Sequence, residues 1–434
     1  MSFRLFKSPQ LKQGSPLQLK AIARKFLLPR PASTAQTTMS GPMSLEDIQS
    51  RLLIPVNHDT DDQVENSSYR DRGLFMARQD RWEELADDIR GHDQNHASTQ
   101  TGMPIADLMI FGARSDAVRA AEHALLHGKP EKGAPLLQGV EALENILADH
   151  PDDYAIALIV AHMHIDIGWA WRGSDLSEDV PLHNFEAFEA HFQRASEILD
   201  EFCAYETCSP ALLAARSALV PGTRNASNRL ADEFETLIDI DTTNPRHMRA
   251  LGNYLLPRWQ GSFTQLDLEA RRTAARTQSM WGAGAYTWVW FDALLVDPAG
   301  FGTLEISYFI EGVYDILDRR DDQHHANLMA AHLFRSWQII RKLADHNTAH
   351  QPLAVALRHG FDHVVQNHLR EIHPLLWGHA ELGFTNGSRV VSVDRLAKMG
   401  QEIAIKAIAL PFIKGLQAGE TIRFDHNGIT HLPS

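Results

Sequence analysis

Histidine is the residue this chain carries in unusual number, 23 among 434. Metal ligation is the sharpest chemistry such a set could perform. His359 and His363 stand four residues apart, a spacing that puts two imidazoles on one helix face. His162 and Asp166 form a second such pair, with His164 between them, and His324, His325, His332, His346, His350, His368, His373 and His379 crowd the last third. No His-Glu-x-x-His and no Glu-x-x-His occurs, so neither the zinc-protease nor the di-iron bundle arrangement is present. Histidines without ligand spacing usually sit on helix surfaces or are satisfied in cores. No cofactor is expected on this basis, and a metal-dependent hydrolase-like enzyme using His359 and His363 is the alternative.

Three other features could carry chemistry. The run Met280-Trp281-Gly-Ala-Gly-Ala-Tyr286-Thr-Trp288-Val-Trp290-Phe291 is apolar around most of a helix wheel. Its flat rings could form a ligand platform, but a helix hydrophobic all round is buried, and core packing is the expectation. Arg272 and Arg276 share a helix face and make a positive spot on an acidic protein, able to grip a carboxylate, a phosphate or an acidic peptide. Pairing with the chain's own acids explains that spot equally well. Cys203 and Cys208, the only cysteines, are expected as buried thiols. Nucleophile motifs, a phosphate-binding Gly-x-x-x-x-Gly-Lys loop and zinc-finger spacings are missing, and Gly282-Ala-Gly284 follows no strand.

The elements that must position these residues are helices. Hydrophobic residues make up 44% of the chain, enough to bury a core, and no run of eighteen apolar residues occurs. Two cysteines remove a disulfide framework and fit a reducing compartment, so a cytoplasmic protein is expected. Helical periodicity covers nearly every segment from about 74 to 383, including 80–90, 105–111, 152–171, 185–202, 245–256, 286–296, 324–343 and 353–377. Before it, Ser44 opens a short capped helical turn that Pro55 stops, and 57–72 reads as a polar loop. After it, 421–424 and 429–432 alternate as strands around Asp425-His-Asn-Gly428, a hairpin with glycine where positive φ is needed.

The net charge of −14 hides a split. Residues 1–45 hold seven basic side chains and no acid, which leaves the remainder at −21 (34 basic residues against 55 acidic). So acidic a body repels phosphate backbones, and no nucleic-acid partner is expected. Leu19, Ile22, Ala23 and Phe26 give the tail a short basic amphipathic stretch, which leaves membrane-surface contact or targeting open beside a disordered extension. No signal-peptide pattern is present, so export is not expected.

Pro151, Pro245 and Pro298 each follow a polar residue at a helix end and precede a large apolar residue at +3 (Tyr154, Met248, Phe301), the register of a proline beside a helix start. Two segments end alike, Trp171-Arg-Gly-Ser174 and Trp259-Gln-Gly-Ser262, with glycine at an expected helix C′ position. The segments LADHPDDYAIALIVAHMHIDIGWAWRG and DTTNPRHMRALGNYLLPRWQGS resemble degenerate tetratricopeptide-like repeats, and the stretch 185–335 is similar to uncharacterised bacterial helical-repeat proteins. No single repeat meets the full consensus. The resemblance implies an all-α fold of antiparallel helix pairs stacked as a tetratricopeptide-like α-solenoid, with the C-terminal β-hairpin appended. Expected boundaries are a basic, largely disordered segment with linker over 1–72, the helical-repeat domain over 73–386 and a C-terminal helix and hairpin over 387–434. The implied function is a scaffold that binds a protein or peptide, with Trp171, Arg172, Arg258, Trp259, Arg272 and Arg276 as candidate contacts.

Overall fold

The computed structural model describes residues 43–125, 138–173, 180–220, 230–259, 261–382 and 392–433. The amphipathic stretch of the basic tail, like Ser174, lies outside them. The first third comprises α1 (Leu45–Arg51), β1 (Leu52–Leu53), α2 (Asp61–Arg78), α3 (Trp82–Gln94), α4 (Ile105–Ala124), α5 (Gln138–Asp149) and α6 (Tyr154–Arg172). Then come α7 (Leu182–Asp200), the short α8 (Ala204–Thr207), α9 (Pro210–Ala218), α10 (Leu230–Ile240), α11 (Pro245–Tyr254), α12 (Phe263–Arg276), α13 (Gln278–Trp281) and α14 (Gly284–Val296). The last third holds α15 (Ile306–Arg319), α16 (Gln323–Ala344), α17 (Gln351–Asn367), α18 (Pro374–Leu382), α19 (Val393–Ile408), α20 (Ile413–Gln417), β2 (Thr421–Asp425) and β3 (Gly428–Leu432). The described chain is thus mostly helical, with one small sheet in the order β1-β2-β3.

The hairpin forms as the alternation requires, Ile422 opposite His431 and Phe424 opposite Ile429, and it extends one residue further on each side, to the pair Asp425 and Gly428. Gly428 has φ +131°. Its third strand comes from the far end of the sequence: β1 runs parallel to β2, and Arg51 donates to the Leu416 carbonyl at 2.9 Å. Ser44 and Asp47 close the capping box that starts α1.

Residues 57–72 depart from the loop expectation, because most of them belong to α2. Thr60 and Gln63 close a second capping box at its N-terminus. Its body shows no helical period, because α2 buries no apolar stripe. It seats backbone to backbone on α4: a Cβ on Gly73 would lie 2.2 Å from the Met109 carbonyl oxygen, and one on Gly112 2.0 Å from that of Arg70. Such close helix approach is carried by glycine and leaves no hydrophobic period to read.

Elsewhere the apolar pattern places the core. Trp281, Tyr286, Trp288, Trp290 and Phe291 are fully buried, so the aromatic run is packing rather than an open platform. The apolar residues three beyond the prolines, Tyr154, Met248 and Phe301, are all buried. Helix α6 is long and apolar enough to cross a membrane by length and composition alone, yet most of it is buried here, against α4 and α7 among others. The two cysteines are a correction: both are exposed, at the two ends of α8, where Cys208 takes a left-handed φ of +50°. They are the two cap positions of α8, outside the single turn whose Ala204 is buried.

Candidate functional site

The structure separates the residues that the sequence grouped. Arg272 pairs with Glu269 at 2.9 Å, and Arg276 with Glu235 at 2.9 Å and Asp239 at 3.4 Å, so the positive spot is neutralised within the chain. Arg172 and Trp259 do meet. The Arg172 guanidinium lies 5.7 Å from the Trp169 ring and 5.8 Å from the Trp259 ring, and the exposed Arg258 lies 5.5 Å from the outer ring, Trp259. The aromatic partner of Trp259 is Trp169, at 5.9 Å, and Trp171 is half-buried on the core. The matching tetrapeptides also differ: Gly173 ends α6 with φ +69°, whereas Gly261 makes room for the Leu255 carbonyl, 2.0 Å from where its Cβ would stand.

His359 and His363 are exposed on α17, and His363 leans on Tyr314 at 4.4 Å. Among the described residues no group of three His, Cys, Asp or Glu side chains is placed to hold a metal ion. Asp166, the partner expected for His162, instead accepts from Arg114 at 2.7 Å. His164, which had no assigned role, is engaged at both nitrogens: Nε2 meets Glu144 Oε1 at 2.8 Å and Nδ1 meets His191 Nδ1 at 2.8 Å. A carboxylate only accepts, so Nε2 carries a proton, and His191 Nδ1–H donates to His164 Nδ1. Burial and then the His164 charge push His191 down to about 4, so this neutral arrangement is the resting one.

A cleft of about 70 Å³, its lining part polar and part apolar, opens where the ends of five helices meet. The C-terminal end of α3 brings Asp93 and, just beyond it, His96. The starts of α4, α9 and α11 bring Asp107, Ala211 and His247, and Arg320 follows α15. Each element has a local reason to end here. Asn244 caps α11, its Oδ1 accepting from the Arg246 amide at 3.1 Å, and Pro245 takes the first helical position. With Oδ1 so used, the Asn244 amide donates to Asp241 Oδ2 at 3.0 Å. His247, at the third helical position, reaches the same oxygen through Nε2 at 3.0 Å.

The carboxylates of the cleft are already served by the protein. Asp93 accepts from Ser209 Oγ at 2.5 Å, the Ala211 amide at 3.0 Å and Tyr154 at 3.3 Å, and burial raises its pKa in spite of those bonds. For Asp241, burial pushes upward, but the bond from His247, the charge His247 carries where a carboxylate titrates, the bond from Asn244 and the charge of His96 outweigh it and hold the group below its ordinary value. Asp107 faces Arg246 at 3.9 Å. Arg320 is different. It rests 5.5 Å from the Trp281 ring, whose Nε1 donates to the Thr242 carbonyl at 2.8 Å, and no carboxylate among the described residues pairs with it.

Of the six candidate contacts, none lines this cleft, and neither His359 nor His363 does. The residues that build it are scattered at 92–107, 210–214, 241–247 and 320, and only the proline turn at 245 gave a signal, read as architecture. No protein-family model, no curated protein and no solved structure matches this chain.

Proposed function

We propose that this is a helical binding protein whose ligand site is the cleft at Asp241, His247 and Arg320, and that the ligand is a small polar molecule bearing a carboxylate or a phosphate. The observation that carries this reading is the contrast in charge pairing: the acids Asp93, Asp107 and Asp241 have partners within the protein, whereas Arg320 lines the same cleft with none among the described residues. A guanidinium so placed favours an anion held in a planar, two-pronged contact. A volume of about 70 Å³ holds on the order of five water-sized groups. It admits a small molecule, or the single acidic side chain or terminal carboxylate of a protein or peptide partner, and not a partner helix. The scaffold reading therefore continues in a narrower form. Stacking of helix pairs in the tetratricopeptide-like manner is part of the proposal, supported by the close packing of the consecutive pairs α6 with α7, α16 with α17 and α18 with α19.

Calorimetric titration with small carboxylates and phosphate monoesters tests the site. At least one should bind the wild type, and Arg320→Met, which keeps the contact with Trp281, should weaken it by about tenfold or more at unchanged melting temperature. Equal affinity in wild type and Arg320→Met removes the reading.

A further inference from the structure

The imidazole of His247 says more about the ligand than its charge. The ring is buried, 7% exposed, and its Nε2 lies 3.0 Å from Asp241 Oδ2 and 3.2 Å from the Asn244 amide nitrogen, which is itself a donor to that same oxygen. An ionised carboxylate accepts and never donates, so Nε2 must carry the proton, and Nδ1 of the neutral ring is left with a lone pair. Among the described residues no side chain or backbone group hydrogen-bonds to that atom. Elsewhere in the core Nδ1 of His332 and of His373 are also without partners, but those two are sealed from solvent. His247 Nδ1 is not among the sealed atoms, and His247 lines the cleft. The cleft therefore shows an incoming molecule two complementary groups: a donor of charge-assisted hydrogen bonds in Arg320 and a neutral acceptor in His247.

We propose that the ligand is a hydroxylated anion, its carboxylate or phosphate on Arg320 and its hydroxyl donating to Nδ1 of His247. This rests on the assignment of the cleft as the binding site and adds the chemical class of what enters it. A deoxy analogue leaves the buried Nδ1 acceptor without a donor, a loss that sites built for a hydroxyl register as strong discrimination. The Asp241 carboxylate is what sets the preference, because it fixes the tautomer. In Asp241→Asn the amide can donate to Nε2 instead. The ring proton then moves to Nδ1, and the cleft presents a donor where it presented an acceptor.

Lactate, propionate and 2-methoxypropionate form the carboxylate arm of the test, with 2-hydroxyethyl phosphate and ethyl phosphate as the phosphate arm. The two arms separate the possible anions. Lactate or 2-hydroxyethyl phosphate should bind the wild-type full chain about tenfold tighter than its partner without a free hydroxyl. In Asp241→Asn the preference for lactate over 2-methoxypropionate, which can only accept, should fall by about tenfold. Comparing that ratio between the two proteins cancels the size of the methyl group. Nitrogen-15 spectra of the wild type supply a reading that needs no variant: His247 should be protonated at Nε2 and bare at Nδ1, with Nδ1 shifting when the hydroxylated ligand is added. Equal binding of hydroxylated and deoxy anions, an unchanged ratio in Asp241→Asn, or a wild-type proton on Nδ1 overturns the proposal while leaving the cleft as an anion site. Absence of binding by every compound overturns the cleft assignment itself.

Discussion

Two histidines with carboxylate partners, His164 and His247, sit in this molecule at similar burial and end in opposite situations. His164 lies between α5 and α7, with Glu144 on one nitrogen and His191 on the other, and Arg194 completes the Glu144 carboxylate at 2.8 and 2.6 Å. Every polar atom of that ring is consumed by the fold. His247 has Asp241 on one nitrogen and open cleft on the other. Residue type and burial are the same, so what separates a structural histidine from a candidate functional one is the partner of the second nitrogen. The closed site is held by its own hydrogen bonds. The open one depends on how α11 is seated.

That seat gives the largest expected effect. Helix α11 presses on α14 through Gly252, where a Cβ would stand 1.7 Å from the Val289 carbonyl oxygen, and Arg249 grips Asp292 with two bonds of 2.8 Å. Backbone cannot yield as a flexible side chain does, so Gly252→Ala should destabilise by about 3 kcal/mol or more, read as a shift of the urea midpoint. Anion binding in the cleft should weaken with it, because α11 carries His247. A neutral result would show that α11 is loosely seated and that the open site is not defined by this packing.

The closed site comes next. His164→Ala removes two part-buried hydrogen bonds of a buried ring and leaves a ring-sized void, a loss of about 2–3 kcal/mol in a chemical melt. Ligand affinity in the cleft should not change, since the two sites share no residue. Acid probes the same place without mutation. His191 is held at about 4 by burial and by His164, and His332 at about 4 by burial, both below the ordinary value of 6.5. For a base depressed in the folded state, the unfolded chain takes up the proton first as pH falls. Stability is therefore full above about pH 6.5, declines down to about pH 4, and levels off once the folded form is protonated as well. The urea midpoint should fall through that window, and His191→Gln should flatten part of the slope. Glu144, held low chiefly by Arg194, contributes below that window. A midpoint unchanged between about pH 7 and 5 would mean that the folded and unfolded chains take up protons alike and that neither ring is depressed in the fold.

How much of this was legible follows from the kind of signal each part leaves. Apolar period announced the helices, and the buried Tyr154, Met248 and Phe301 followed from proline register alone. The period of α2 was silent because its contact runs through Gly73 and Gly112, which have no side chain to count. The cleft was silent for another reason. His96, Asp241, His247 and Arg320 come from the turn after α3, the turn between α10 and α11, the start of α11 and the end of α15, and no local spacing joins all four. The one local trace was Asp241-Thr-Thr-Asn-Pro245-Arg-His247, where the cap that starts α11 also orients Asp241 on the imidazole. A cap and a site were the same residues, and the sequence pattern displays only the cap. Trp171 illustrates the converse, since its likeness to Trp259 lay in tetrapeptides whose glycines do different work.

The smallest expected effect on stability, and the sharpest on the comparison, belongs to His247→Asn. In the closed site truncation takes from the half-buried His191 its one ring partner and leaves Glu144 to Arg194 alone. In the open site the vacated space joins a cleft that already admits solvent, Asp241 keeps the Asn244 amide at 3.0 Å, and the asparagine amide or a water can replace Nε2–H. Removal of one hydrogen bond with such replacement costs about 1 kcal/mol or less. The melting curve should hardly move. The preference for a hydroxylated anion over its deoxy partner should nevertheless fall to near unity, because the acceptor that reads the hydroxyl is gone, while anion binding through Arg320 persists. A loss of stability equal to that of His164→Ala would place His247 in the same class as His164, a histidine that the fold consumes, and the distinction drawn between the two sites would fail.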